Sequence, residues 1–300
     1  MPDTPERTKN NPDPPALRPS FRPDLASAAG IAIALAGILG GLILEKGSIQ
    51  DIAQGTAAMI VLGGTIGAVL VTTPLSTFIG AVKRLGSVFF ERVTSPAATI
   101  DALMRYSTLA RKNGIVSLED EAATIADPFL RKALSLAVDG TDLQEIRSMM
   151  ETDLIIAEES AEAEARVWES AGGYAPTVGI IGAVLGLIQV MKHLEDIKEV
   201  GHGIAVAFVA TVYGVGSANV FFLPAANKLR ARIRRASLLK EMTLEGVAAI
   251  VEGRNPTMLR LKLEAFHQPL GKASKRVAAK PAAQPEAARS PRPASASRLA

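Results

Sequence analysis

Thr211 lies in the apolar part of this sequence, and its hydroxyl could offer an oxygen to a hydrated ion. Alternatively, the hydroxyl only bonds the carbonyl four residues earlier, as membrane threonines often do. Asp, Glu, Lys, Arg and His do not occur in four long stretches, residues 25–44, 52–82, 170–191 and 203–227. Proton channels normally hold an ionisable group inside the membrane. We therefore predict that the chain either conducts nothing or receives a carboxylate from a partner helix.

The sequence offers no donor set for a metal ion or a haem. Cysteine does not occur, and the three histidines, His193, His202 and His267, lie outside the apolar stretches. Thiolates and imidazoles are the ligands that zinc sites use most. We therefore predict no metal site, no cofactor and no enzymatic activity.

The four apolar stretches indicate the fold class. Each has about the 20 residues that a helix needs to cross a bilayer, and 48% of the chain is hydrophobic while 21% is charged. Between the second and third stretches the composition changes to mixed charge with helical periodicity. The sequence predicts an all-α, polytopic membrane protein with four transmembrane helices and a cytoplasmic helical domain between spans 2 and 3.

Small residues mark one side of the third and fourth spans. In the third span they are Gly179, Gly182 and Gly186, and in the fourth they are Ala210, Gly214 and Ala218. Small faces let two helix backbones approach closely. The two spans can therefore pack on each other or on a helix of another protein. Gly37 and Gly41 in the first span have the same spacing.

Three residues mark the ends of the third and fourth spans. Pro176 and Pro224 each leave a helix carbonyl without its usual hydrogen bond, so the helix can bend there. Alternatively, both are ordinary prolines at the ends of spans and have no role in movement. Trp168, the only tryptophan, is predicted to be an aromatic anchor at the membrane interface.

Basic residues predict the orientation in the membrane. Three follow the second span and six follow the fourth: Lys83, Arg84, Arg92, Lys228, Arg230, Arg232, Arg234, Arg235 and Lys240. The positive-inside rule puts both termini and the long middle segment in the cytoplasm. Basic residues beside a span usually meet anionic lipid, so we expect lipid contact and no binding of nucleic acid. The length of the first span favours a retained helix over a cleaved signal peptide.

In order, the predicted segments are a disordered cytoplasmic leader (1–24), the first span (25–44), the second span with its cytoplasmic continuation (52–82), the cytoplasmic helical domain (83–168), the third span (169–192), the fourth span (203–225), a basic cytoplasmic helix (226–267) and a disordered tail (268–300). Local signals subdivide the helical domain. Ser95-Pro96 predicts a helix start, Asn113-Gly114 an end and Asp127-Pro128 a break. Ser117 is a predicted cap, and Thr141 with Gln144 predicts a capping box for a long helix that runs into the third span.

Four blocks of sequence resemble one known family. They are residues 109–119 (LARKNGIVSLE), 174–188 (YAPTVGIIGAVLGLI), 210–214 (ATVYG) and 222–229 (FLPAANKL). In these blocks the chain resembles the MotA/PomA family of flagellar motor stator subunits, part of the MotA/TolQ/ExbB proton channel superfamily. The resemblance covers roughly residues 25–266.

This resemblance implies a homopentameric ring in the bacterial inner membrane around a dimer of the MotB type. The single-span helices of that partner would bring a membrane aspartate, and ion flow would turn the ring against the rotor switch protein (FliG type). Arg111 and Glu119 match charged residues that meet the rotor, so residues 83–168 are expected to face it. Pro176 and Pro224 match the prolines that couple ion passage to movement.

The resemblance also assigns an ion path. Thr211 matches the threonine of the fourth span near the ion site, and Ala183 stands where sodium-driven members carry threonine. Loss of one hydroxyl weakens sodium coordination by oxygen ligands, so protons are the expected coupling ion. With Thr211 and Ala183, four glycines are expected to form the face for the ion and the partner helix: Gly179, Gly182, Gly186 and Gly214.

Two other functions fit parts of the sequence. An energy-transducing proton channel subunit of the ExbB/TolQ type resembles the last three spans but lacks the leading one, so residues 25–44 discriminate the two readings. A membrane scaffold that organises partners and conducts nothing is the third possibility. Proton flux with and without a MotB-type partner separates the scaffold from both.

Overall fold

The computed structural model describes residues 20–93 and 95–267, which are mostly helical. In chain order the helices are α1 (Leu25–Leu44), α2 (Ile49–Ile52), α3 (Gly55–Thr72), α4 (Leu75–Phe89), α5 (Pro96–Asn113), α6 (Glu119–Thr124), α7 (Pro128–Val138), α8 (Leu143–Lys192), α9 (Ile197–Val251) and α10 (Pro256–His267). Four of them, α1, α3, α8 and α9, are long and apolar enough to cross a membrane. The predicted four-span helical fold, with a helical domain between spans 2 and 3, is therefore confirmed.

A short two-stranded ribbon joins the segment before the first span to the segment after α4. Strand β1 (Ser20–Pro23) pairs antiparallel with β2 (Phe90–Val93), and the Asp24 N–H donates to the Phe89 carbonyl over 2.7 Å. The composition of this segment predicts disorder up to residue 24. The pairing is long-range, so local composition does not reveal it. The rest of the predicted leader and the predicted tail lie outside the described residues.

The second span ends just before a proline. Helix α3 stops at Thr72, and Thr73 is extended (φ −131°, ψ 133°) because the residue before a proline avoids the helical region. Helix α4 then begins after Pro74. Wider π turns interrupt α3 at Met59–Gly63 and α9 at Ser217–Phe222.

Helix α8 is a single helix of 50 residues that begins in the helical domain and contains the third span. Its N-cap is Asp142, whose carboxylate accepts from the Gln144 N–H at 2.9 Å, one residue later than the predicted cap Thr141. The helix continues through Pro176 without a break. Its buried residues are large in the cytoplasmic half, such as Met150 and Leu154, and mostly alanine and glycine in the membrane half.

The core of the helical domain combines residues that precede the third span with residues that follow the fourth. Leu103 of α5, Leu130 of α7 and Met150 of α8 pack in the same cluster as Val247 of α9 and Leu259 of α10. The segment predicted as one basic helix, residues 226–267, therefore contains the end of α9 and a separate helix α10. A turn at Gly253, whose φ of 65° suits glycine, divides them.

Trp168 belongs to a second core, formed by α3, α4, α8 and α9. It is 9% exposed, its ring nitrogen donates to the Ala81 carbonyl at 3.2 Å, and its ring stacks on Phe222 with centroids 6.1 Å apart. Trp168 is thus a packing residue inside the chain, whereas the sequence predicts an anchor facing lipid. Ser95 caps α5 at the predicted helix start, and the predicted break at Asp127-Pro128 separates α6 from α7, with Asp127 as the N-cap of α7. Ser117, the predicted cap, lies within a 3-10 turn (Ile115–Leu118).

Candidate functional site

Helices α8 and α9 touch backbone to backbone along the glycine face. A Cβ at Gly179 would lie 2.9 Å from the Ala210 carbonyl oxygen, and one at Gly214 would lie 2.6 Å from the Ala175 carbonyl oxygen. A Cβ at Gly186 would lie 2.8 Å from both the Ala207 nitrogen and the Gly203 carbonyl oxygen. These distances are shorter than van der Waals contact, so only glycine fits at these three positions.

Helix α3 joins this contact from a third side. A Cβ at Gly182 would lie 2.7 Å from the Ala210 Cβ and 3.4 Å from the Ile60 side chain. A Cβ at Gly64 would lie 2.7 Å from the Val178 side chain. The four predicted glycines are all buried. They contact neighbouring helices of their own chain and leave little surface for a foreign helix.

Thr211 and Ala183 lie beside the glycine contact and are only half-buried. The Thr211 hydroxyl donates to the Ala207 carbonyl at 3.1 Å, which leaves its oxygen lone pairs able to accept. Ala183 shares a helix face with exposed Ile180 and Leu187. Thr211 shares a face with exposed Phe208 and Val215. These two apolar faces, rather than the glycines, remain open in the single chain. Among the described residues, no group of His, Cys, Asp or Glu could hold a metal ion.

A polar contact links α9 to the start of the second span. The Tyr213 hydroxyl donates to the Ile52 carbonyl and accepts from the Gln54 N–H at 3.3 Å. The Gln54 Oε1 atom is buried and lacks a hydrogen-bond partner in the described part of the chain. Sequence reasoning missed this contact, because tyrosine in a span is commonplace and its partner is far away in the chain.

Asp24 fixes the N-terminal end of the first span. Its carboxylate contacts the Lys228 Nζ and an Arg232 guanidinium nitrogen, each at 2.6 Å, and accepts from the Ser27 N–H at 3.1 Å. Arg232 also donates to the Phe90 carbonyl at 2.9 Å. The hydrogen bond from Lys228, followed by the one from Ser27, holds the pKa of Asp24 well below its usual range. We call this group of contacts the Asp24 clasp.

Arg111 and Glu119 lie on either side of the turn between α5 and α6, and both are exposed. Arg111 is in the last turn of α5 and Glu119 in the first turn of α6, where the helix dipoles favour a cation and an anion, respectively. An ion pair between Arg105 and Glu121 at 2.7 Å ties α6 to α5. Within residues 20–93 and 95–267, neither Arg111 nor Glu119 forms an ion pair, so both charges are available to another molecule.

Known proteins match this chain over most of its length. The motility protein A N-terminal family model matches residues 28–114, and the MotA/TolQ/ExbB proton channel family model matches residues 121–242. Motility protein A of Bacillus subtilis is 35% identical over 80% of this chain and 89% of its own length.

The chain belongs to the MotA family.

Two solved structures agree with this assignment to the MotA family. One chain of the C. jejuni MotAB structure is similar with a TM-score of 0.77 and 31% identity, over 81% of this chain and 95% of that one. One chain of the flagellar MotAB stator complex from Bacillus subtilis has a TM-score of 0.75 and 33% identity, over 83% of this chain and 98% of that one.

The two MotA-family matches divide the candidate residues between them. Arg111 falls in the N-terminal match, and Glu119 lies in the short gap between the two. Pro176, Ala183, Thr211 and Pro224 fall in the channel-family match. Pro176 is half-buried and Pro224 is exposed directly after the π turn of α9. Because Pro224 has no N–H for the carbonyl four residues earlier, a wider turn at this point is physically reasonable.

Proposed function

We propose that this MotA-family chain is a subunit of a flagellar motor stator. Five copies form a ring in the bacterial inner membrane, surrounded by lipid, with both termini in the cytoplasm. The ring encloses a dimer of a MotB-type partner, and proton flow turns it against a rotor switch protein of the FliG type. The chain is not an enzyme and uses no cofactor, and protons are its coupling ion.

The observation that supports this proposal is the lack of charged side chains in the spans of a chain whose fold is similar to that of MotAB chains. The charge-free stretches of the four spans, residues 25–44, 52–82, 170–191 and 203–227, hold no Asp, Glu, Lys, Arg or His, so a titratable carboxylate has to come from a second protein. The similar chains belong to structures named for two proteins, MotA and MotB. Each charge that crosses 100 mV releases about 2.3 kcal/mol, which is enough to drive a repeated mechanical step.

Proton flux in sealed vesicles tests the channel function. Vesicles that hold this chain together with a MotB-type partner are expected to acidify under a membrane potential, and vesicles with either protein alone are not. The matched control is a partner whose membrane aspartate is replaced by asparagine. Flux through this chain alone, or equal flux with the control partner, would contradict the proposal, and a lack of flux in every case supports the scaffold.

The first span favours a stator over an ExbB/TolQ-type subunit. The motility protein A N-terminal match covers residues 28–114, which include nearly all of α1. The leading span that separates the two classes therefore belongs to the matched region.

The rotor contact is tested by charge reversal at Arg111. Arg111→Glu is expected to abolish swimming while membrane insertion and copurification of the partner stay at wild-type levels, because the side chain is exposed and unpaired among the described residues. The control is Lys112→Glu, which changes an exposed neighbouring charge by the same amount. Wild-type swimming of Arg111→Glu across a series of loads would remove Arg111 from the rotor contact.

A further inference from the structure

A break in the backbone lies at the start of the second span. Helix α2 ends at Ile52, and Ala53 and Gln54 leave the helical conformation, with Gln54 extended at φ −111° and ψ 110°. The break falls in the charge-free stretch that begins at Ile52. Backbone groups freed by a break near lipid need a partner within the protein. The Ile52 carbonyl accepts the Gln54 N–H across the break at 3.1 Å, and its second lone pair needs a further partner.

Tyr213 supplies that partner from the fourth span. Its hydroxyl donates to the Ile52 carbonyl and receives the Gln54 N–H at 3.3 Å, so one oxygen bonds both sides of the break. Its ring packs on the small cluster formed by Ala57, Val61, Val209 and Ala210. The contact therefore joins α9 to the start of α3 by hydrogen bonds as well as by packing.

The same turn of α9 contacts α8 on a second side and is open on a third. Ala210 and Gly214, on either side of Tyr213, form the backbone contact with α8. Thr211, two residues before Tyr213, lies on an open face. A displacement of this turn must therefore either carry the second span with it or break the bonds of Tyr213.

We propose that Tyr213 is a positioning residue that ties the second span to the fourth, so that Thr211 keeps its place when α8 and α9 move. This role rests on the proposed stator function. The tie itself is a property of the folded chain and can be measured without a motor.

Tyr213→Phe in the full complex with a MotB-type partner tests the tie, because phenylalanine keeps the ring and removes the hydroxyl. Amide hydrogen exchange at residues 53–58 is expected to rise about threefold, the size of one hydrogen bond between membrane helices. Torque per assembled stator is expected to fall by more than proton flux does. Tyr174→Phe is the matched control, because the Tyr174 hydroxyl has no hydrogen bond in the described part of the chain.

The results distinguish the tie from a merely structural role and from the proposed function. Unchanged exchange at residues 53–58, an equal rise in Tyr174→Phe, or a parallel loss of flux and torque caused by poor assembly would each overturn the positioning role. A wild-type complex without partner-dependent flux would contradict the stator function, while the exchange measurement would still report on the tie.

Discussion

The first and third spans carry similar glycine spacing but use it differently. In α8 the glycines meet the backbone of α9, and a Cβ at Gly179 or Gly186 would lie less than 3 Å from backbone atoms. In α1 no residue is buried, and a Cβ at Gly37 or Gly41 would meet nothing within 4 Å among the described residues. Glycine spacing therefore permits close approach without ensuring it.

The difference lies in what faces each helix. Helix α9 presents small residues at matching spacing, Gly203, Ala207, Ala210 and Gly214, so two small faces meet. Among the residues that the structure describes, α1 has no such neighbour, and its ion pairs lie at its N-terminal end, in the Asp24 clasp. Helix α8 is therefore held along its length, whereas α1 is held mainly at the end next to Asp24.

The largest expected effect comes from filling the α8 contact. Gly186→Leu must separate α8 from α9, and we expect a loss of about 3 kcal/mol or more in the free energy of unfolding. Gly37→Leu is the matched control on α1, with an expected change within about 0.5 kcal/mol for the single chain. Thermal unfolding in detergent and copurification of the partner measure both. Equal losses of stability in the two variants would mean that the Gly37 face is covered in the assembly. That result would contradict the difference between α1 and α8.

The next largest effect is expected at the clasp. Asp24→Asn leaves Lys228 and Arg232 without their carboxylate, and a lost hydrogen bond to a charged group costs about 1.5–3 kcal/mol. We expect cysteine-crosslinking from α1 to α4 to become less specific while the α8–α9 contact is unchanged. Asp51→Asn is the control, because Asp51 is exposed and caps only the short helix α2.

The pH dependence of the clasp follows from the lowered pKa of Asp24. A carboxyl whose pKa is lower in the folded state stabilises the fold above its ordinary pKa near 4, and this contribution is lost as the pH falls through the lowered value. The stability difference between wild type and Asp24→Asn is therefore expected to be constant from pH 5 to 8 and to shrink below about pH 4. A difference that varies between pH 6 and 8 would contradict this assignment.

A smaller effect of opposite sign is expected at Pro176. Pro176→Ala supplies the N–H that proline lacks, so α8 is expected to become as stable as wild type or more stable by about 1 kcal/mol. Torque per stator is nevertheless expected to fall, because the helix bends less easily. Thermal unfolding and tethered-bead rotation give the two quantities. A fully assembled variant with unchanged torque would show that bending at Pro176 is irrelevant.

The smallest effect is expected at Thr211. Thr211→Val keeps the shape and removes a hydroxyl that bonds the Ala207 carbonyl, at an expected cost of about 0.6 kcal/mol. Proton flux is expected to fall by more than this small loss of stability would cause, because the lone pairs of the hydroxyl are also lost. Thr177→Val, another membrane threonine that bonds a backbone carbonyl of its own helix, is the control.

Local signals in the sequence predict much of the fold. Four spans follow from hydropathy, Ser95 caps the helix that Ser95-Pro96 is predicted to start, and the chain breaks at Asp127-Pro128 as predicted. Contacts between distant segments could not be predicted. Trp168 lies where an interfacial anchor is expected, but the approach of Ala81 and Phe222 buries it.

The sequence also predicts the local features of the candidate site but not its contacts between distant segments. The glycine face of the third span was recognised as a packing surface, but spacing alone cannot tell whether the neighbour is α9 or a foreign helix. Asp24 lies in a segment whose composition predicts disorder, and its partners Lys228 and Arg232 are far away in the chain. Tyr213 gave no local signal because its role depends on a break at Gln54.

The 50-residue helix α8 has a mechanical consequence. At 1.5 Å per residue it is about 75 Å long, and it runs as one continuous helix from the α9 contact at Gly186, through Pro176, to the core of the helical domain at Met150. A hydrogen-bonded rod resists twisting far more than a loop does. A rotation of the end that contains Gly186 is therefore transmitted to the opposite end of α8 with little loss of angle.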